Sequence, residues 1–191
     1  FTSGEKNEPD STLKPADLFP EDVNANITLS ADSLIFNNFR AASFSSRLTY
    51  KPYVLTFNEA KASGLEGTLE GELMLGKQKE GGFITRASLN VSNIDIHRAF
   101  TAFNNFGQDF IVSDNLGGRL TGNITMVSPL DGNYKFFRKA IVAEAHLLIS
   151  DGKLVRFAPA ESLSSYLDLD ELKNISFSKM ENDIIINNGT V

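Results

Sequence analysis

Apolar and polar residues alternate with a period of two along most of this chain. In VNANITL, Val23, Ala25, Ile27 and Leu29 alternate with Asn24, Asn26 and Thr28. Phe44, Leu48 and Tyr50 share one parity in SFSSRLTY. After a tight turn at Lys51-Pro52, the alternation resumes through Tyr53, Leu55 and Phe57. This is the pattern of half-buried antiparallel strands joined by short turns.

The alternation repeats itself. In LEGTLEGELML, Leu65, Gly67, Leu69, Gly71, Leu73 and Leu75 fall on one face, with Glu66, Glu70 and Glu72 on the other. LGGRLTGNITM places Leu116, Gly118, Leu120, Gly122, Ile124 and Met126 in the same spacing, at an offset of 116 − 65 = 51. Each copy is followed by a second alternating run, with Ala87, Leu89 and Val91 in the first and Ala143, Ala145 and Leu147 in the second. That offset is 143 − 87 = 56, so the second hairpin loop reads as about five residues longer. Leu and Gly alternating on one face make a row of bumps and slots. Such a row suits a seated helix, or a sheet curled around a thin apolar object.

Helical period appears after the first copy. In DIHRAFTAFNNFG, Ile96, Phe100, Phe103 and Phe106 form one apolar stripe, read as core. Asp95 suits the N-cap and Gly107 the position after the helix. PAESLSSYL, with Pro159 in its first turn, and DLDELKN, capped by Asp168, predict two further short helices. ISFSK and DIIINNGTV then return to strand. The predicted fold is mainly β with a few short helices. It is a curled antiparallel sheet of repeated strand–turn–strand–helix units, shaped as a half-barrel or gutter. Residues 1–21, polar and carrying Pro9, Pro15 and Pro20, read as a linker or extended arm, and 22–191 as one β-rich domain. A start at Phe1 and an end in NNGTV read as a piece of a longer protein.

Composition narrows the chemistry. The 191 residues sum to a net charge of −6, which argues against a nucleic-acid partner. The chain has no cysteine, so thiol nucleophiles, disulfides and cysteine metal sites are excluded. It has no Trp but 15 Phe, so its aromatic content is almost wholly apolar. No apolar run approaches the roughly 20 residues of a spanning helix. Glu70 and Glu72 are spaced as a carboxylate pair but share the polar strand face, which reads as solvated. His97 and His146 lie apart without a second ligand at metal spacing, and Asp168–Glu171 reads as helix capping. N-x-[ST] triplets at Asn26, Asn90, Asn123, Asn174 and Asn188 read as products of polar strand positions. No nucleophile, base and oxyanion site assembles, so no enzyme, cofactor or metal is expected.

Four stretches carry a family resemblance: KASGLEGTLEGELML, SNIDIHRAFTAFNNFG, LGGRLTGNITM and the run from ISDGKLVRF to NNGTV. In this order, over about residues 22–191, they resemble the C-terminal region of the AsmA-like family, with its TamB-related envelope proteins. The resemblance implies a non-enzymatic periplasmic protein of two-membrane bacteria, acting in outer-membrane assembly or lipid homeostasis. It also implies an inner-membrane anchor helix outside this stretch, envelope proteins as partners, and phospholipid or other acyl chains along an apolar β-groove. Leu65, Leu69, Leu73, Leu120, Ile124, Leu147 and Ile149 would line that groove. The alternative is a β-rich binding or adhesion domain, its apolar face filled by its own helices and its loops meeting a glycan or protein ligand.

Overall fold

Alternating runs joined by tight turns can only pair with their neighbours in sequence, and the sheet that results is a meander. The computed structural model describes residues 19–36, 38–107, 111–156 and 174–187. The strands are β1 (Ala25–Ala31), β2 (Leu34–Phe36), β3 (Phe39–Lys51), β4 (Val54–Gly64), β5 (Gly67–Lys77), β6 (Phe83–Asp95), β7 (Leu116–Leu130), β8 (Val142–Val155) and β9 (Asn174–Ile186). They form one open antiparallel sheet in the order β1-β3-β4-β5-β6-β7-β8-β9, with β2 also on β3. ISFSK and DIII belong to one long strand, β9.

Register puts the apolar parity of every strand on the same face. One row runs Ile27, Leu48, Phe57, Leu73, Ala87, Met126, Ala143 and Ile186 across the sheet. The sheet curls so that this face is concave. Phe19 touches both Tyr50 of β3 and Phe83 of β6, with ring centroids 6.1 and 5.2 Å away, although those strands are three positions apart in the sheet.

The curl has a local cause. β4, β6 and β8 each break step with a neighbour, and each carries a residue of left-handed φ at the break: Glu59 (50°), Asn93 (54°) and Asp151 (50°). An extra residue on one strand bends it and increases its twist. Asn93 keeps its backbone N–H satisfied by donating to Thr121 Oγ1 at 3.0 Å. The glycine slots add to the bend. A Cβ at Gly71 would strike the carbonyl of Ser88, and one at Gly122 the carbonyl of His146, so adjacent backbone fills the slots rather than a helix.

The repeat is real, but its second offset is larger than the sequence suggested. Leu73 pairs with Ala87, and the equivalent Ile124 pairs with Ala145, not Ala143. The offset is 145 − 87 = 58, and it relates the Asn93 and Asp151 bulges as well (151 − 93 = 58). The hairpin loop is thus seven residues longer in the second copy (58 − 51). An even change preserves parity, which is why the faces matched although the alignment slipped.

The predicted helix is shorter than its apolar stripe. Helix α1 spans Ile96–Ala102, and Asp95 caps it by accepting from Arg98 N at 2.8 Å. Its buried residues are Ile96, Ala99 and Ala102. Asn104, Asn105 and Phe106 take φ near +50° (50°, 51° and 53°) and end the helical period, so the Phe stripe does not form core. Phe106 is 58% exposed and Phe103 38%. Instead the rings gather at the surface: Phe103 stacks on Phe39 at 5.8 Å and on Phe106 at 5.5 Å. The two helices predicted between 159 and 174 lie outside the described residues, as does the predicted arm up to residue 18. Phe19, at the end of that arm, belongs to the folded domain: it is buried, and Tyr50 donates its hydroxyl hydrogen bond to Pro20 O at 2.5 Å.

The core gathers at the two ends of the concave face. At one end Phe19, Tyr50, Phe83 and Leu130 pack with Leu55, Leu75 and Tyr134. At the other, Ala99 and Ala102 of α1 press onto Phe39, Ala41, Val91 and Ile94, with Leu65, Leu69, Leu120 and Ile124 around them. Two predictions follow from this distribution. Phe19→Ala removes the side chain that bridges β3 to β6 and is expected to cost about 3–5 kcal/mol in urea unfolding. At the β6 bulge, Asn93→Val is expected to lower stability by about 1–2 kcal/mol and Asn93→Gly to be neutral or better, because a Cβ is penalised at left-handed φ, most when it is branched, and glycine has none. Equal effects of the two changes would contradict the bulge as the determinant.

Candidate functional site

Between its closed ends the concave face is open. A trough of about 520 Å³ crosses β1 to β6, walled by Leu29, Phe44, Phe57, Leu69, Leu73 and Leu89. Its floor is made of small residues, Ala60, Ala62 and Gly71. Ala60 pairs with Gly71 and Ala62 with Leu69, so the valley follows from where small side chains meet in register. Four strand spacings separate β1 from β6, giving a span of roughly 19 Å. Ile27 is 47% exposed, Leu29 37% and Leu73 38%. The polar parity lies on the other face. There Lys61 pairs with Glu70 at 3.1 Å and Arg47 with Glu59 at 3.0 Å, and all four side chains are solvated.

The seven groove candidates divide among three settings. Leu69 and Leu73 line the trough. Leu65, Leu120 and Ile124 sit with Leu69 around Val91, Ile94 and Ala99, in the seat of α1. Leu147 and Ile149 occupy the same face on β8, where Leu147 is paired with Gly122 and Asn182, and Ile149 with Leu120 and Met180. Sequence reasoning centred the groove on the two Leu/Gly strands and missed its far wall. Phe44, Phe57 and Leu29 come from β1, β3 and β4, whose alternation was visible but carried no repeat to single it out.

α1 is held by a clasp. The β4–β5 turn places Leu65 and Glu66 at positive φ (54° and 62°). Leu65 packs beneath the helix, and its carbonyl accepts from Asp95 N at 2.8 Å. Glu66 receives Arg98 of α1 on one oxygen and Arg119 of β7 on the other, both at 2.8 Å. Beside the clasp, a notch of about 420 Å³ is lined by Asn38, Arg40, Leu65, His97, Arg98 and Thr101, with Ala102 at its base. His97 donates through Nδ1 to Ser113 O at 2.9 Å, which leaves Nε2 for another partner. Arg40 makes no ion pair among the described residues.

The remaining candidate chemistry is dispersed. His146 meets Asp183 across β8 and β9 on the exposed polar face, with side chains 69% and 77% exposed. Glu70 and Glu72 face solvent. Among the described residues no three His, Asp or Glu side chains gather as a metal site. No helix of the described residues is long and apolar enough to cross a membrane. No family model, curated protein or solved structure matches this chain.

Proposed function

We propose that this protein is a non-enzymatic, periplasmic module of envelope biogenesis, of AsmA type, that shields acyl chains along its concave sheet face during outer-membrane assembly or lipid homeostasis. The observation that carries the reading is the open apolar trough between two closed ends, with Leu73 and Leu29 left exposed in its walls. A volume of about 520 Å³ is within the range of ligand sites. An acyl chain has no directional polarity, so a row of apolar side chains suffices to hold it. Each CH₂ withdrawn from water contributes about 0.8 kcal/mol.

The division of the face also supports the reading over an adhesion domain. There the helix would fill the apolar surface, whereas α1 packs at one end and leaves Ile27, Leu29 and Leu73 outside its contacts. Phospholipid or other acyl chains are the proposed cargo and envelope proteins the proposed partners. An anchor helix in the inner membrane would lie outside this stretch.

The test is solvent extraction of the purified protein followed by lipid mass spectrometry. Acyl lipid is expected at near-stoichiometric amounts in the native protein. Leu73→Glu places a charge in the trough wall at an already exposed position. It is expected to abolish co-purification while changing unfolding stability by less than about 1 kcal/mol. Lipid no higher than in an unrelated periplasmic control, or unchanged by Leu73→Glu, would sink the proposal.

A further inference from the structure

The end of the sheet opposite α1 carries the 52–53 turn, the 78–82 loop and the 131–141 loop. The last is the segment by which the second hairpin exceeds the first, and its sequence, Tyr134-Lys135-Phe136-Phe137-Arg138-Lys139, is the most basic short run in an otherwise acidic chain. Phe136 is 49% exposed and Phe137 53%. They lie on opposite sides of the strand end: Phe136 bridges Leu130 on the concave parity, and Phe137 N donates to Pro129 O at 3.2 Å on the other. Val127 and Val142, paired at the base of the loop, are also exposed.

This loop is built, not slack. Asp131 Oδ1 accepts from the backbone N–H of Asn133 at 2.8 Å and of Lys135 at 3.0 Å. Asp131 N donates to Lys135 O at 3.0 Å, and Tyr134 stacks on buried Phe83 at 4.6 Å. The Lys135 and Asn133 bonds hold the Asp131 carboxyl below its ordinary range. A carboxyl held low stays ionised at neutral pH, so these bonds persist there and weaken only in acid, as it takes up its proton. Two rings are therefore held in water by a rigid turn, at a cost that an isolated domain has no reason to bear. Asp131 is the one acid within the 131–141 loop and is already committed to the turn. Elsewhere on this end Lys51, Lys77 and Lys79 are set against Glu21, Asp22 and Glu80.

We propose that the 131–141 loop docks this end of the sheet on an anionic bilayer surface, with Phe136 and Phe137 inserted at the acyl boundary and Lys135 and Lys139 among the headgroups. An apolar pair bordered by cations is what such an interface selects, since apolar insertion and attraction to anionic lipid act together. The inference does not rest on the trough being occupied.

Absence of native Trp makes the test direct. Phe137→Trp supplies a single fluorophore at the tip. With vesicles of phosphatidylcholine containing about a third phosphatidylglycerol, its emission is expected to shift to the blue and to be quenched by acyl-brominated lipid. With pure phosphatidylcholine, binding is expected to be far weaker. Lys135→Gln with Lys139→Gln is expected to reduce partitioning about 25-fold, at about fivefold per charge. Phe136→Ser with Phe137→Ser, read by vesicle flotation, is expected to reduce it at least tenfold. All these positions are exposed, and circular dichroism melting checks that the fold is intact. Leu73→Glu is expected to bind vesicles as the native protein does, so failure of the trough reading leaves this result standing. No blue shift, equal binding to neutral and anionic vesicles, or a tip that binds an acidic peptide while ignoring vesicles would overturn the assignment.

Discussion

An extra residue in every second strand sets the shape of this protein. β4, β6 and β8 run in the same direction, and each bends at a residue of left-handed φ: Glu59, Asn93 and Asp151. A flat sheet of this width would leave one apolar face wholly in water. Bending alternate strands brings distant strands within reach of single bridging side chains, as Phe19 shows between β3 and β6. Bulges also step the chain by three where the neighbour steps by two, from Phe57 to Ala60 against Leu73 to Gly71. Side chains on both sides of the break stay on the concave face, so curvature is gained without turning any apolar residue outward.

Curvature then decides where burial happens. Hydrophobic contact is concentrated where something covers the sheet, namely α1 at one end and the Phe19 segment with Tyr134 at the other. Buried hydroxyls on the sheet answer to backbone rather than to the trough: Ser46 donates to Asn58 O at 3.0 Å and Thr85 to Met74 O at 3.1 Å. With those groups satisfied internally, the surface the trough presents is almost wholly apolar, although Lys61 and Glu70 border it and pair with each other at 3.1 Å. The concave middle is thus apolar by construction, and its exposure follows from the length of the covering elements.

Strand parity was legible between the bulges, because one residue in two must face the concave side. The shifts at Glu59, Asn93 and Asp151 were not, and past Val91 it is Ile94 rather than Asp95 that keeps the concave face. The Leu/Gly repeat was legible for the same reason. Its second offset was not, since a shift of two residues leaves the pattern of faces unchanged and only pairing reveals it. The Asp95 cap was readable from a single side chain. The end of α1 was not, because Phe100, Phe103 and Phe106 continue the apolar period past the point where left-handed residues at 104–106 break it. Local conformation overruled periodicity there. Of the candidate site, the Leu69–Leu73 wall was visible, but Phe44 and Phe57 became partners only through the register of β3, β4 and β5. Phe19 shows the opposite failure. Proline-rich polar surroundings made its segment read as an arm, although one aromatic side chain is enough to fix it to the core.

The two closures of the trough differ in strength. At the Phe19 end, four large side chains are buried together, each contributing about 1.5–3 kcal/mol on transfer from water. At the other, a seven-residue helix too short to persist alone offers mainly Ile96, Ala99 and Ala102 to the sheet. It is tied down by the Glu66 clasp, whose Arg98 and Glu66 side chains are 59% and 42% exposed. Exposed pairs of that kind contribute roughly 0–1 kcal/mol and weaken with salt. Arg119 adds a second arm, but its Nη1 is buried without a partner, which offsets part of the gain. Opening at α1 therefore costs less than opening at the aromatic end, and it uncovers Leu65, Leu120 and Ile124 as a direct extension of the trough wall formed by Leu69. The face that the repeat encodes is longer than the part exposed at rest, and α1 is the element that sets the difference.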